Sequence, residues 1–456
     1  MKPAAVPKSL EPMVAALLNA PPFAAQEFIS GGATFGEVHG TAAWLRHRLA
    51  GLGPRGTVCL ATDDRSLIAA ALLASLAGGP VLLLPYSLSI QALTGMQQAT
   101  GCTAALTDRP RDFPANFEVI QPSWGDSNAG LSPSIVQPEE ELLRLYTGGS
   151  TGTPQLWSKT GTNLFAEALF LAAHFGVSPR DRIAATISPS HIYGLLYSVL
   201  LPLVSGATVL AATPSFPEEI SRIVRDQEAT ILVSVPAHYR ALRGKASLGA
   251  SLRLAFSSAG MLDVEDNSEF CHHNQAGIVE VYGSTETGGI GLRNRSQNEV
   301  GFTPYPTVDW QIRDERLHIR SPYLSPGLPR DAEDYFCTGD RAEPCGSTGF
   351  QLKGRADSIT KVAGKRVDLE EIRELIKAQP GVTDCLVLAL AETSGREHRI
   401  VALVEGRAVD PEAIRKTLAV RFEPYALPRA IKVIDRLPLK DNGKVDRAAI
   451  LRLFAA

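Results

Sequence analysis

The sequence predicts an α/β fold: a large N-terminal domain with mainly parallel sheets and a β-subdomain, then a small α+β domain at the C-terminus. Three observations carry this. From about residue 56 to 290, short β-rich runs alternate with helical segments, the pattern of βαβ units around parallel strands. After Gly291 the texture turns β-rich, and near Lys353–Asp357 it changes again to a short mixed pattern that continues to the end. The 456 residues leave ample chain for such a division.

Taken in order, Thr57–Ala61 and Val81–Pro85 form the first strands. Between Ser66 and Thr94 there is no charge, which raises the question of a membrane span. Gly78-Gly79-Pro80 splits this stretch into an Ala/Leu-rich half and Val81-Leu82-Leu83-Leu84, so a helix followed by a buried parallel strand accounts for it. The same helix–Gly–strand order recurs at Leu195–Ala212. Arg182–Ile187, Thr208–Ala211, Ile231–Val235, Leu252–Phe256 and Ile278–Tyr282 continue the strands, with helices such as Glu167–Phe175 and Pro217–Arg225 between them. Trp310–Arg313 and Leu317–Arg320 flank Asp314-Glu315, a hairpin signature. Beyond Asp357 come a strand (Ser358–Val362), a helix opened by Asp368 with Glu371 three residues on, and a strand (Thr383–Leu390). A strand (Arg399–Glu405), a helix (Pro411–Val420) and a strand (Arg429–Ile434) follow. The Asp368…Glu371 spacing resembles a capping box. Ser127–Pro138, polar with Pro and Ser, is expected to be a surface connection.

Apolar residues make up 45% and charged residues 20%, with a net charge of −3, so neither nucleic acid nor an anionic membrane is an expected partner. Cysteines 59, 102, 271, 337, 345 and 385 form no CxxC pair and are expected to be reduced core thiols. The adjacent His272 and His273 lack a metal-ligand spacing and belong on a helix surface. The N-terminus lacks the basic, apolar, small-residue order of a signal peptide, so a cytoplasmic protein without a membrane span is expected.

The strongest local signal follows a β-like run at Leu143–Tyr146. Thr147-Gly148-Gly149-Ser150-Thr151-Gly152-Thr153 contains only glycines and hydroxyl residues. Glycines let the backbone approach a ligand, Ser and Thr add short donors, and successive N–H groups make an anion nest. Phosphate is the natural guest, although a flexible surface turn has the same composition. It is not a Walker A loop, because Gly152 is followed by Thr153-Pro154.

This loop resembles the phosphate-binding signature of the adenylate-forming (AMP-binding) superfamily, which includes acyl-CoA synthetases, adenylation domains of nonribosomal peptide synthetases and firefly luciferases. Further segments resemble its other motifs in their expected order. They are Ser188-Pro-Ser-His191-Ile-Tyr193-Gly194, Ser257-Ser-Ala-Gly260, Tyr282-Gly283-Ser284-Thr285-Glu286, Thr338-Gly339-Asp340, Gly354-Arg355 to Gly364-Lys-Arg366, and Leu437 to Gly443-Lys444. The resemblance covers nearly the whole chain. It implies a carboxylic acid ligase that forms an acyl-AMP from ATP, releases pyrophosphate and transfers the acyl group to a thiol.

The resemblance also implies roles. Thr147, Gly148, Gly149, Ser150, Thr151 and Gly152 would hold the ATP phosphates, and Glu286 would hold Mg²⁺. Tyr282 and Gly283 would border adenine, Thr285 would approach the α-phosphate, and His191 would border the carboxylate. Asp340 would accept from the ribose hydroxyls, with Arg355 in support. Lys444 would reach the reacting carboxylate and α-phosphate from a mobile C-terminal domain. The implied division is 1–353, a hinge at 354–357 centred on Asp357, and 358–456. Gly364 would line the approach of the thiol, and Arg366 would contact phosphate of the thiol donor or nucleotide.

Two features depart from the family's pattern. The loop continues Pro154-Gln155-Leu156 where Pro-Lys-Gly is usual, and Lys159 either replaces the missing cation or is solvated at the start of the next helix. The chain is also shorter than typical members. Amino-acid-activating relatives carry an Asp in the pocket segment, and Ser188–Gly194 has none. An apolar acyl or aryl acid is therefore expected, with CoA or the phosphopantetheine of an acyl carrier protein as acceptor. The Pro-Gln…Lys-Thr ending also resembles ligases of aryl-polyene pathways. A luciferase-like oxygenase or an inactive nucleotide-binding regulator are the alternatives; Glu286, Asp340 and Lys444 argue against the second.

Overall fold

The computed structural model describes residues 11–19, 21, 23–122, 124, 131, 138–147, 155–356, 359–362, 365–391, 398–439 and 445–454. Most of the expected connection at Ser127–Pro138 lies outside them. The chain divides into two compact units, Met1–Asp309 with Arg320–Asp334, and Trp310–Ile319 with Tyr335–Ala456.

The first unit holds two sheets. Strands β1 (Thr57–Leu60), β2 (Val81–Leu84), β3 (Ala104–Leu106), β4 (Glu118–Ile120), β5 (Glu141–Thr147) and β6 (Gln155–Thr160) lie in the order β4-β3-β1-β2-β5-β6. Neighbours are parallel except the edge pair β5–β6. Every residue of β1, of β2 and of the helix Arg65–Leu76 between them is buried, which is why the sequence from Leu67 to Leu76 and along β2 is almost wholly apolar. Asp64 caps that helix through the Ser66 and Leu67 N–H groups. The buried Arg65 donates to Ser198 Oγ (3.0 Å), Ala211 O (3.2 Å) and Thr213 Oγ1 (2.7 Å), and burial lowers its pKa to about 10. Those acceptors offset the loss of water around a guanidinium. Among the described residues no helix is long and apolar enough to cross a membrane.

The second sheet comprises β7 (Arg182–Ala185), β8 (Thr208–Val209), β9 (Ile231–Ser234), β10 (Leu254–Ser257), β11 (Ile278–Ser284), β12 (Gly288–Asn294) and β13 (Thr303–Pro304). Its order is β13-β12-β11-β10-β9-β7-β8. The strands from β8 to β11 are parallel, and β12 and β13 join antiparallel.

In the second unit β14 (Asp309–Arg313), β15 (Arg316–Arg320), β16 (Phe336–Cys345) and β17 (Gly349–Arg355) form one sheet in chain order. The expected hairpin turn is present: Asp314 (φ 48°) and Glu315 (φ 59°) are both left-handed, as a two-residue turn between twisted strands demands. Next come the pair β18 (Ile359–Val362) and β19 (Lys365–Asp368), then β20 (Val382–Ala391), β21 (His398–Gly406) and β22 (Ala430–Ile434). Alternation along β21 sends Ile400, Ala402 and Val404 against the helices Leu369–Lys377 and Pro411–Arg421. Val401 and Leu403 face the helix Arg447–Phe454. The capping box expected at Asp368 does not form. Asp368 accepts from Glu370 N and pairs with Arg341, while Glu371 accepts from Arg421 Nε (3.3 Å). The chain thus uses a one-sided cap.

Candidate active site

In the first unit the parallel strands β7, β9, β10 and β11 end side by side. Ala185 pairs with Val233, Ser234 with Ser257, and Ser257 with Glu280. The segments leaving those ends are Thr186–His191, Val235–His238, Ser258–Gly260 and Tyr282–Glu286. The carboxyl ends of parallel strands are where open α/β sheets bind ligands. Three of the four segments match motifs singled out in the sequence.

Thr285 and Glu286 sit at the tip of the turn joining β11 to β12. Ser284 N donates to Thr287 Oγ1 (2.9 Å) and Thr287 N to Ser284 Oγ (3.3 Å), closing the turn below them. Ser325 N donates to Glu286 O (2.8 Å). A methyl group on Gly283 would overlap Gly288 O, so the expected glycine is required here by a close backbone approach. The Tyr282 ring lies 5.4 Å from that of Phe302. Ser258 Oγ donates to Val281 O (2.9 Å), tying the small-residue turn to β11, and Ala259 there takes a left-handed φ of 68°.

The antiparallel β5–β6 pair, whose strands flank the glycine- and hydroxyl-rich segment in sequence, closes at Thr147 opposite Gln155. Trp157 Nε1 donates to Thr147 Oγ1 (3.1 Å). Gly148, Gly149, Ser150, Thr151 and Gly152 lie outside the described residues. The solvated, helix-start reading of Lys159 is corrected. It stands in strand β6 rather than a helix, because the helix begins only at Gly161 behind a Thr160–Asn163 capping box. At 1% exposure it is not solvated. Nζ donates to Tyr323 O (3.0 Å) and lies 3.4 Å from Glu286 O. Glu167, also buried, accepts from Gly289 N (2.9 Å). Burial lowers the Lys159 pKa and raises that of Glu167, and each charge opposes the effect of burial on the other.

His191 precedes the short helix Ile192–Leu195, and a methyl group on Gly194 would overlap Ser188 O. Ser188 Oγ and Ser190 Oγ both donate to Asp63 Oδ1 at 2.9 Å. Tyr193 OH donates to Ser234 O (3.2 Å). Behind it Thr186 Oγ1 lies 2.8 Å from both Ser234 Oγ and His238 Nδ1. Asp63, Glu167 and His238 belong to none of the motifs read from the sequence, and only the fold brings them to these positions.

The second unit carries the other expected residues. Asp340 pairs with Arg355 across β16 and β17, with Arg355 Nη1 4.0 Å from Asp340 Oδ1. The Arg355 guanidinium crosses over Gly339, where an added methyl would come within 2.6 Å of it. Asp340 N donates to Thr338 Oγ1 (3.2 Å), which itself donates to Leu317 O (2.9 Å). Arg366 lies in β19 opposite Lys361, with its side chain outside the described residues. Asp357, Gly364 and Lys444 also lie outside them. His272 and His273 are exposed on a helix, as expected.

Among the described residues no cluster of three His, Cys, Asp or Glu can cage a metal. A single carboxylate such as Glu286 suits a cation that takes its remaining ligands from phosphate and water, which is the habit of Mg²⁺.

The profile described as "AMP-binding enzyme" matches residues 19–327, and that described as "AMP-binding enzyme C-terminal domain" matches residues 371–444. A sulfoacetate–CoA ligase of Cupriavidus necator is 27% identical, with 92% of each chain covered. An anthranilate–CoA ligase of Pseudomonas aeruginosa is 28% identical, with 88% of each covered. In fold, ATP-bound MatB of Rhodopseudomonas palustris superposes with a TM-score of 0.83 at 18% identity, over 97% of this chain and 98% of that one. A benzoate CoA ligase of Burkholderia xenovorans gives 0.77 at 20% identity, over 96% and 99%.

Proposed function

The chain belongs to the AMP-binding enzyme family and is an ATP-dependent, AMP-forming acid–thiol ligase; from that premise we propose that it activates an apolar acyl or aryl acid and delivers it to CoA. In the first half-reaction a carboxylate oxygen attacks the α-phosphorus of ATP and pyrophosphate leaves. In the second a thiol sulfur attacks the acyl carbon and AMP leaves. Neither step needs a covalent bond to the protein, so positioning and charge stabilisation carry the rate.

The observation that supports this best is the Ser284–Thr287 turn. It sets Thr285 and Glu286 at the sheet's carboxyl edge, on backbone held beside the base of the phosphate hairpin. Thr147 and the loop's N–H and hydroxyl groups take the phosphates, Thr285 the α-phosphate and Tyr282 the adenine face. Glu286 would hold Mg²⁺, which when bound offsets phosphate charge. Asp340 and Arg355 take the ribose. Lys444 reaches the α-phosphate after the C-terminal segment turns about Asp357, and Gly364 and Arg366 serve the thiol donor.

For the acid, the support is chemical. Tyr193, Tyr197 and Phe256 form an aromatic group behind His191, with ring centroids 5.0 and 4.7 Å apart. Asp63, which meets the Ser188–Gly194 segment, already has two hydroxyls on one oxygen. Aryl acids are named for several relatives, including anthranilate and 4-coumarate ligases. The test is pyrophosphate release across a panel of aryl, fatty and amino acids, followed by thioester detection with CoA and with a phosphopantetheinyl carrier. Aryl acids should lead and CoA should accept. Carrier-only transfer would move the acceptor, and an amino acid as best substrate would overturn the pocket reading.

A further inference from the structure

Lys159 and Glu167 are two ionisable side chains sealed under the turn that carries Glu286, on a strand and a helix that the phosphate loop precedes. Their contacts run to main chain rather than to solvent. Lys159 reaches Tyr323 O and Glu286 O, and Glu167 takes the Gly289 N–H. These points bracket the segment Glu286–Gly289, and Ser325 N fixes the same Glu286 carbonyl from the Tyr323 side. The fit is close. A methyl group on Gly289 would come 2.5 Å from Tyr305 OH and overlap Glu167 Oε1, and one on Gly288 would come 2.6 Å from Tyr323 Cβ. A core needs neither charge at such a place, since a methionine and a glutamine would fill similar volumes.

We infer that Lys159 and Glu167 act together as a buried brace that sets the height and orientation of the Glu286 turn, making both positioning residues for the metal–nucleotide half of the reaction. Lys159 thus serves the triphosphate indirectly, through the backbone of the residue that meets it, and does not stand in for the lysine replaced by Gln155. Outer groups that orient a metal-binding carboxylate are commonly worth about 10–100-fold in metal affinity or activity. The inference rests on the ligase reading above, in which Glu286 meets Mg²⁺.

The test compares wild type with Lys159→Met, Glu167→Gln and the double variant. Three quantities are measured: thermal melt, calorimetric affinity for ATP with Mg²⁺ and with EDTA, and acid-dependent pyrophosphate release. Each single variant leaves one buried charge without its opposite and should melt lower, while the double variant removes both and should regain most of the loss. Affinity for ATP with Mg²⁺ should fall about tenfold in all three, affinity in EDTA should hold, and pyrophosphate release should stay low in the double variant. Recovery of metal-dependent affinity together with the melt would show a purely structural pair and overturn the inference. So would wild-type affinity in a folded single variant. If Lys159→Met does not fold, the double variant carries the same comparison. A failure of the ligase reading looks different, since wild type itself would then release no pyrophosphate with any acid.

Discussion

At the scale of single residues, Lys444 is the sharpest case. An ammonium in the last motif, implied to reach the α-phosphate in only one arrangement of the chain, should matter to one half-reaction alone. Lys444→Ala should lower acyl-AMP formation by about 10²–10³-fold, the usual loss for one transition-state donor. Thioester formation from supplied acyl-AMP should persist, and equal loss in both steps would show the role to be wrong. His39 gives a second expectation. Its side chain is half-buried in the helix Phe35–Arg48, and desolvation lowers its pKa from 6.5 to about 4. The folded state therefore refuses a proton that the unfolded chain accepts. Stability from this group is complete above pH 6.5 and is lost as pH falls toward 4. Melting temperatures between those limits should fall more steeply in wild type than in His39→Gln; parallel curves would contradict the assignment.

At the scale of elements, the turn between β11 and β12 is specified by backbone crowding as much as by its polar residues. Gly283→Ala should cost about 1–3 kcal/mol, the usual range for overpacking, and should depress adenylation beyond that loss by displacing Thr285 and Glu286. Urea melts together with pyrophosphate release would check both parts, and an unaffected enzyme would show that the turn relaxes freely. This element also shows which features can be read from sequence. Gly283, the Asp314-Glu315 turn and the apolar strands β1 and β2 are local patterns with local causes. The positions of Lys159, Glu167, Asp63 and His238 are not of that kind. Lys159 meets carbonyls at 286 and 323, far along the chain, and its burial follows from β6 returning antiparallel beside β5 before the helix starts. A helix-start reading placed it in water because the return strand is short and polar. The one-sided cap at Asp368 was misjudged for a similar reason, its spacing matching a motif while distant Arg341 and Arg421 claimed the side chains.

At the scale of the whole molecule, the order of motifs foretold a large α/β part followed by a small α+β part, and the identity of the acid is where that legibility stopped. The segments at the carboxyl edge of the second sheet follow different strands, so no contiguous stretch of sequence describes them together. The absence of an acidic residue in Ser188–Gly194 still has a consequence, because an ammonium buried without a carboxylate partner is costly. An aryl acid should be activated in preference to its α-amino counterpart in a competition assay, and the reverse order would refute this. The central claim is that an acyl-AMP forms before any thiol is involved. Exchange of labelled pyrophosphate into ATP, run with a good acid and no thiol present, tests it most directly. Exchange should depend on the acid, need no CoA and be lost in Lys444→Ala. Exchange that requires CoA, or cleavage of ATP to ADP and phosphate in its place, would contradict it.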